Sequence, residues 1–229
     1  MKILITGASR GIGLYLLKKF KEEDHIVFGT FFGTLPEADL TKYFTKVDVG
    51  NTEEVQQWVE KNVTENDEIV LVNCAGINYN SIARRADMDD WINVININLG
   101  GTFRAIRSVL PFMYKKGFGR IINFSSIVAQ RGVIGTSAYA ASKSALWGMA
   151  KAIAAENAQK GITINNINLG YMNAGMTLNE VPENLREEII KQNPSKKLGD
   201  LEDVYKTVKY LIDTEYINGT SIDLNGGLL

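Results

Sequence analysis

The opening residues constrain this chain more than any other stretch. Residues 2–6 form a short apolar run, and Gly7-Ala8-Ser9-Arg10-Gly11-Ile12-Gly13 follows it. Leu14, Leu16, Leu17 and Phe20 then recur at helical spacing, and residues 26–30 form a second apolar run. The order is strand, glycine turn, helix, strand. Glycines at such a turn let the backbone approach a pyrophosphate, which the helix N-terminus then stabilises. The spacing is Gly-x3-Gly-x-Gly rather than the Gly-x-Gly-x-x-Gly of the general dinucleotide fingerprint. A glycine turn without a ligand would read similarly, but its place between strand and helix favours nucleotide binding.

The remainder repeats the alternation. Residues 31–42 make a compact connection, and residues 43–49 read as a third strand ending at Asp48. Asn51 is the N-cap of the next helix, with Glu54 three residues on as its capping-box partner. Apolar strands follow at 69–72, 120–124, 162–168 and 221–224. Helices are expected at about 89–116, 138–159 and 202–212, and residues 169–197 read as irregular with one helical piece near 183–191. This pattern predicts an α/β fold: a Rossmann-type, doubly wound parallel sheet of about seven strands with helices on both faces. No repeat or linker divides the chain, so residues 1–229 form one domain. In such sheets ligands bind beyond the carboxyl ends of the strands. Gly7, Asp48, Asn73, Ser126 and Gly170 all fall there.

Composition narrows the chemistry. The net charge is −1, with no basic block to attract nucleic acid. The first apolar run is too short for a signal peptide, and no stretch has the ~20 apolar residues of a membrane span. A cytoplasmic protein is expected. Cys74 is the only cysteine and His25 the only histidine. An intramolecular disulfide is therefore excluded, a Ser-His-Asp triad would have to use His25, and no zinc ligand set is plausible. The chemistry falls to other side chains or a bound cofactor, with no metal.

One pentapeptide supplies an acid–base candidate: Tyr139-Ala140-Ala141-Ser142-Lys143. Positions four apart share a helix face. An ammonium beside a phenol favours the phenolate, which makes the tyrosine a more usable proton donor and acceptor. Alone this spacing is common on helix surfaces. Trp58, Trp91 and Trp147 read as packing residues, although Trp147 shares a helix face with Lys143.

Together these residues carry a resemblance to the short-chain dehydrogenase/reductase family over essentially the whole chain. The matching pieces are Thr6 to Gly13, Asp48-Val49, Asn73-Cys74-Ala75-Gly76, Asn98, Ser126, Tyr139 with Lys143, Gly170, and Asn225-Gly226-Gly227. The style is most similar to 3-oxoacyl-[acyl-carrier-protein] reductases. The resemblance implies hydride transfer between a nicotinamide and a carbonyl or alcohol carbon. Tyr139 would exchange the proton, Lys143 would hold the nicotinamide ribose, Ser126 would place the substrate oxygen, and Asn98 would hold a water that resupplies protons. Cofactor contacts are implied for Gly7, Ser9, Arg10, Gly11, Ile12, Gly13, Asp48, Val49, Asn73, Ala75, Gly76, Gly170 and Met172, beside Tyr139 and Lys143. Asp48 would accept from the adenine amino group. NADP(H) is favoured over NAD(H): no acid follows the second strand until Glu37, and the Arg10 guanidinium suits a 2′-phosphate.

The partner implied is a small-molecule or carrier-bound carbonyl substrate, with an acyl carrier protein among the candidates and no nucleic acid or membrane. Fatty acid biosynthesis would be the setting, and a homotetramer the assembly. An NAD(P)-dependent dehydrogenase of a sugar, polyol or other small alcohol would use the same residues. A nucleotide-sensing protein without turnover would have no need of them. Asn78 and residues 127–134 are expected to wall the substrate pocket, with residues 171–181 as a lid. Two positions depart from the family: Leu169 stands where proline is usual, and Ala174 where a threonine often contacts the carboxamide.

Overall fold

The computed structural model describes residues 1–229, apart from the side chain of Glu180. One parallel sheet of seven strands runs in the order β3-β2-β1-β4-β5-β6-β7. The strands are β1 (Lys2–Thr6), β2 (Ile26–Phe31), β3 (Phe44–Lys46), β4 (Ile69–Asn73), β5 (Gly119–Ser126), β6 (Ile162–Leu169) and β7 (Ser221–Leu224). The order reverses between β1 and β4, and that switch point opens a crevice beyond the strand ends.

Alternate residues feed two apolar layers, as the period of two in a strand requires. Ile3, Ile5, Val70 and Val72 pack with Leu16, Leu17 and Phe20 of α1 (Gly11–Glu22) and with Val204 and Val208 of α8 (Leu201–Asp213). Leu4, Ile69, Leu71, Ile121 and Ile164 face the other way. They meet α2 (Thr52–Asn62), α4 (Thr102–Lys116) and α5 (Ser137–Asn157). The doubly wound sheet and the helical stripes are as the sequence pattern predicts.

Element ends differ where pairing, not pattern, decides them. The third strand is only Phe44–Lys46, because Tyr43 closes a 3-10 turn over Ala38–Tyr43. Asn51 does cap α2: its Oδ1 accepts from the N–H groups of Glu53 and Glu54. Glu54, however, accepts from the Asp48 N–H at 2.8 Å, since the Asn51 N–H already donates to the Asp48 carbonyl. β5 continues through Ser126 and β6 through Leu169, and these two residues are register partners. The stretch expected to hold one helix holds two, α6 (Gly175–Glu180) and α7 (Glu183–Gln192).

The expected long helix is α3 (Met88–Ile95) running into α4 through a π-helical turn, Asn96–Gly101. Among the described residues no helix is long and apolar enough to cross a membrane.

Candidate active site

The crevice at the switch point measures about 610 Å³, within the range of small-ligand sites. Its floor is the glycine turn. Gly7 has φ +63°, and a Cβ there would lie 2.7 Å from the Ala75 Cα. A Cβ on Gly13 would lie 2.5 Å from the Gly7 carbonyl. The turn is thus pressed against the exit of β4. Two threonines hold it there: Gly7 N–H donates to Thr30 Oγ1 at 3.0 Å, and Ala75 N–H donates to Thr6 Oγ1 at 3.2 Å. Arg10 is the N-cap of α1 and its side chain bonds no amide of the first turn, so those donors face the crevice uncapped. This shape, with glycine at each close approach, fits a dinucleotide phosphate.

Most residues expected at the cofactor line this crevice: Gly7, Ser9, Arg10, Gly11, Ile12, Gly13, Ala75, Gly76, Gly170 and Met172. Three expected there do not. The Asp48 carboxylate accepts from the Gly50 N–H at 2.7 Å and borders a separate shallow groove with Thr52 and Asn96. Val49 is buried against Gly101. Asn73 is 4% exposed and donates from Nδ2 to Asn123 Oδ1 at 2.9 Å, across the sheet.

The catalytic candidates converge. Ser126, Tyr139 and Lys143 all line the crevice. β5 delivers Ser126, whose Oγ accepts from the Val128 N–H at 3.4 Å. α5 delivers the other two, and Lys143 Nζ stands 5.5 Å from the centre of the Tyr139 ring. Lys143 is buried and donates from Nζ to the Phe124 carbonyl at 2.8 Å. Burial disfavours its charge and brings its pKa down to about 8. Cys74 lies near by, and burial pushes its thiol up, so it stays protonated and is no nucleophile.

Asn98, expected as a catalytic group that holds a water, does not line the crevice. It is fully buried, with its Oδ1 accepting from the Ile77 N–H at 2.8 Å and its Nδ2 donating to the Ile77 carbonyl at 2.9 Å. Nδ2 also donates to Ser142 Oγ at 3.2 Å, and that hydroxyl donates to the Tyr139 carbonyl at 2.8 Å. The amide clamps the loop after β4 onto the turn of α5 that carries Tyr139. A Cβ on Gly76 would lie 3.3 Å from Asn98 Oδ1 and 3.8 Å from Lys143 Nζ, so glycine keeps that corner open.

The walls include Asn78, Ile127, Val128 and Val133, and the lid helix α6 contributes Met176 and Thr177. Ile134, expected among them, is 90% exposed. Phe31 and Phe32 at the exit of β2 also line the crevice, in the loop whose lack of acid favours NADP(H). The signal in the sequence is a pair of adjacent aromatics in a run of small residues after the second apolar strand. Leu169 uses its place in β6 to extend the ladder: it pairs with both Ser126 and Leu224. Ala174 and Thr177 both line the crevice, with Ala174 the N-cap of α6.

Comparison with known proteins agrees with this geometry. The family model described as short chain dehydrogenase matches residues 1–185. The chain is 33% identical over 238 residues to a 3-oxoacyl-[acyl-carrier-protein] reductase of Staphylococcus epidermidis, covering 98% of this chain and 97% of that one. It is 37% identical over 233 residues to an acetoacetyl-CoA reductase of Shinella zoogloeoides, covering 98% and 96%. Among solved structures it is similar to ElxO with NADP bound, at TM-score 0.89 and 29% identity over 99% of this chain and 98% of that one. A variant actinorhodin polyketide ketoreductase with NADPH also matches at TM-score 0.89, with 28% identity over 99% and 96%.

Proposed function

This chain belongs to the short-chain dehydrogenase/reductase family and is an NAD(P)-dependent oxidoreductase acting on CH–OH and C=O groups; from that premise we propose that it reduces the carbonyl of a 3-oxoacyl thioester with NADPH. The observation that carries this reading is the convergence of Ser126, Tyr139 and Lys143 on one crevice with the glycine turn. Relatives named as 3-oxoacyl and acetoacetyl-CoA reductases support the substrate class.

When bound, the nicotinamide supplies a hydride to the carbonyl carbon. The chain's own residues do the rest. Ser126 donates to the carbonyl oxygen and fixes its position. Tyr139 gives its phenolic proton to that oxygen as negative charge develops there, leaving an alcohol and a phenolate. The Lys143 ammonium stands close enough to favour that phenolate and has further donors for ribose hydroxyls. Asn98 acts at one remove, holding Tyr139's turn against the loop after β4. A pocket that fixes both carbonyl and proton donor removes orientational freedom from the barrier.

The preference for NADPH rests on charge. Arg10 is exposed on the crevice wall, and Phe31, Phe32, Gly33 and Thr34 opposite it carry no carboxylate. Glu37, the first acid after β2, is paired with Lys18 at 2.8 Å. A guanidinium without a competing acid favours a 2′-phosphate. Arg10→Ala should therefore raise the Kd for NADPH by at least about tenfold while leaving NADH nearly unchanged, taking a charge-assisted contact at ~1.5–3 kcal/mol. Equal losses for both cofactors in fluorescence titration would contradict the assignment.

The reaction itself is tested by NADPH oxidation with acetoacetyl thioester, simple ketones, and sugar aldehydes or ketones side by side. The thioester should give the highest kcat/KM. A sugar or polyol preference would install the alternative dehydrogenase reading, and no turnover at all would favour a nucleotide-sensing protein. The setting we propose is cytoplasmic fatty acid synthesis, with an acyl carrier protein as the physiological partner.

A further inference from the structure

Trp147 reads from sequence as a packing residue, yet its indole is a hydrogen-bonding hub. The Nε1–H is shared between Ser125 Oγ at 3.2 Å and Asn168 Oδ1 at 3.0 Å. An indole nitrogen can only donate. The Ser125 oxygen must therefore accept there, and its own proton goes to the Lys143 carbonyl at 3.0 Å. Asn168 in turn donates from Nδ2 to Asp223 Oδ1 at 2.7 Å. Gln130 donates from Nε2 to the same oxygen at 3.1 Å. Every direction in the network is set by a group that can act in only one way: the indole at its centre and the carboxylate at its end.

The location is as informative as the bonding. Ser125, Asn168 and Asp223 are neighbours in register on β5, β6 and β7. They lie on the sheet face that α5 covers. Lower on the same face stand Ile121 and Ile164, both apolar and buried. Parallel strands covered on both sides are ordinarily apolar along their length. Here the covered face turns polar from Asn123 and Asn166 onward, toward the end that bears the crevice.

α5 needs such a device. Ala138, Ala140, Ala141, Ala145, Ala150, Ala152, Ala154 and Ala155 make up much of it. Burial of small apolar groups is non-directional and fixes a helix poorly along its own axis. Hydrogen bonds are directional and do fix it. The turn at Lys143 is gripped twice by adjacent residues of β5: its Nζ donates to the Phe124 carbonyl, and its carbonyl accepts from Ser125. Ser144 adds a bond from Oγ to the Ala129 carbonyl at 3.1 Å, in the segment that follows Ser126.

We infer that Trp147 is a positioning residue: its indole N–H, held between Ser125 and Asn168, sets where the turn of α5 bearing Tyr139 and Lys143 stands relative to the strand end bearing Ser126. The inference rests on those three residues being the reacting groups. Trp147 touches neither substrate nor cofactor in this role.

The test separates positioning from plain stability. Trp147→Phe keeps an aromatic ring and deletes the donor. A displacement of a fraction of an ångström at the reacting groups should lower kcat about tenfold. KM for acetoacetyl thioester and the Kd for NADPH should stay within about twofold, since phosphate and substrate contacts lie elsewhere. Adding Asn168→Leu removes the acceptor left orphaned and should recover the melting temperature without recovering kcat. Wild-type kcat in folded Trp147→Phe overturns the inference. So does a kcat that returns together with the melting temperature in the double variant.

Ser125→Ala leaves the Trp147–Asn168 bond and cuts the link to Lys143, and it carries the same expectation if Trp147→Phe does not fold. Wild-type kcat in folded Ser125→Ala overturns the inference equally. If the wild type reduces none of the carbonyls, the functional reading falls, and positioning is read instead from the NMR titration of Lys143. Its midpoint, about 8 in the wild type, should move toward the ordinary lysine value of ~10.4 in Ser125→Ala as the grip loosens. An unmoved midpoint overturns the inference on its own.

Discussion

Lys143 holds a charge in a place that resists charge. Its ammonium is buried beside the Phe124 carbonyl, and its pKa falls to about 8. The native chain gives up that proton near pH 8, while the unfolded chain keeps it until ~10.4. Between those values the unfolded state binds more protons, so this group's contribution to stability rises with pH. Below pH 8 the native state carries the full cost of the buried charge. Lys143→Met lacks that cost at every pH. The melting temperature of Lys143→Met minus that of the wild type should therefore shrink from pH 8 to pH 10, and a gap that widens would contradict the burial argument. In the proposed mechanism Tyr139 is the partner through which the charge acts. Tyr139→Phe keeps the ring and removes the proton, and should lower kcat at least ~100-fold, the usual worth of a general acid. NADPH affinity, measured by fluorescence titration, should change little, and near-normal turnover would remove Tyr139 from the mechanism.

At the scale of elements, two local devices set the frame. Asn51 accepts from two amides at the start of α2, and Asn51→Ala should cost about 1 kcal/mol in urea denaturation, as for other N-caps. A change under a few tenths would mean that the Glu54 bond to Asp48 holds the turn alone. Gly7 is less forgiving. An alanine there meets Ala75 backbone at 2.7 Å and also adopts φ +63°. The conformation by itself costs roughly 1–2 kcal/mol. Gly7→Ala should thus lose more than Asn51→Ala and open the crevice floor as well, seen as a weaker Kd for NADPH. A Gly7→Ala protein with wild-type affinity would show that the β4 exit gives way without consequence.

Over the whole molecule, what the sequence disclosed was what local pattern controls. The glycine turn, the period of the strands and the Tyr139–Lys143 spacing are all short-range signals, and each stands where the pattern puts it. What stayed hidden depends on partners far away in the chain. Asn165, Asn166 and Asn168 sit in β6, a fully buried strand, against ordinary strand preference. They are tolerated because distant groups satisfy them: Asn165 bonds the Ile217 carbonyl, Asn166 bonds Asn123 and Ser221, and Asn168 bonds Trp147 and Asp223. Asn73 joins the same cross-strand amide row, which is why it faces the sheet and not the crevice. Asp48 stands outside the crevice lining, with one of its carboxylate oxygens accepting from the Gly50 N–H. The short α6 escaped notice because six residues with a glycine at the start show too little periodicity. Assembly belongs to this scale too. The alanine-rich α5 and the family lead us to expect a homotetramer, and a monomer mass in light scattering at working concentration would refute it.

The wide turn at Asn96–Gly101 has a consequence for how this molecule tolerates change in length. Such turns are commonly a single surplus residue carried inside an otherwise regular helix. Deleting one residue there would let α3 and α4 join as one uninterrupted helix with better-formed bonds. Both flanks would keep their phase, because the wide turn absorbs the extra position without rotating what lies on either side of it. What would change is the turn itself: Asn98 lies within it and would lose its aim at Ile77, while Ala105, Ile106 and Val109 still face the sheet. The surplus residue thus aims the clamp and leaves the core untouched. Shortening that helix by one position would improve its regularity and unseat the tyrosine that the clamp holds.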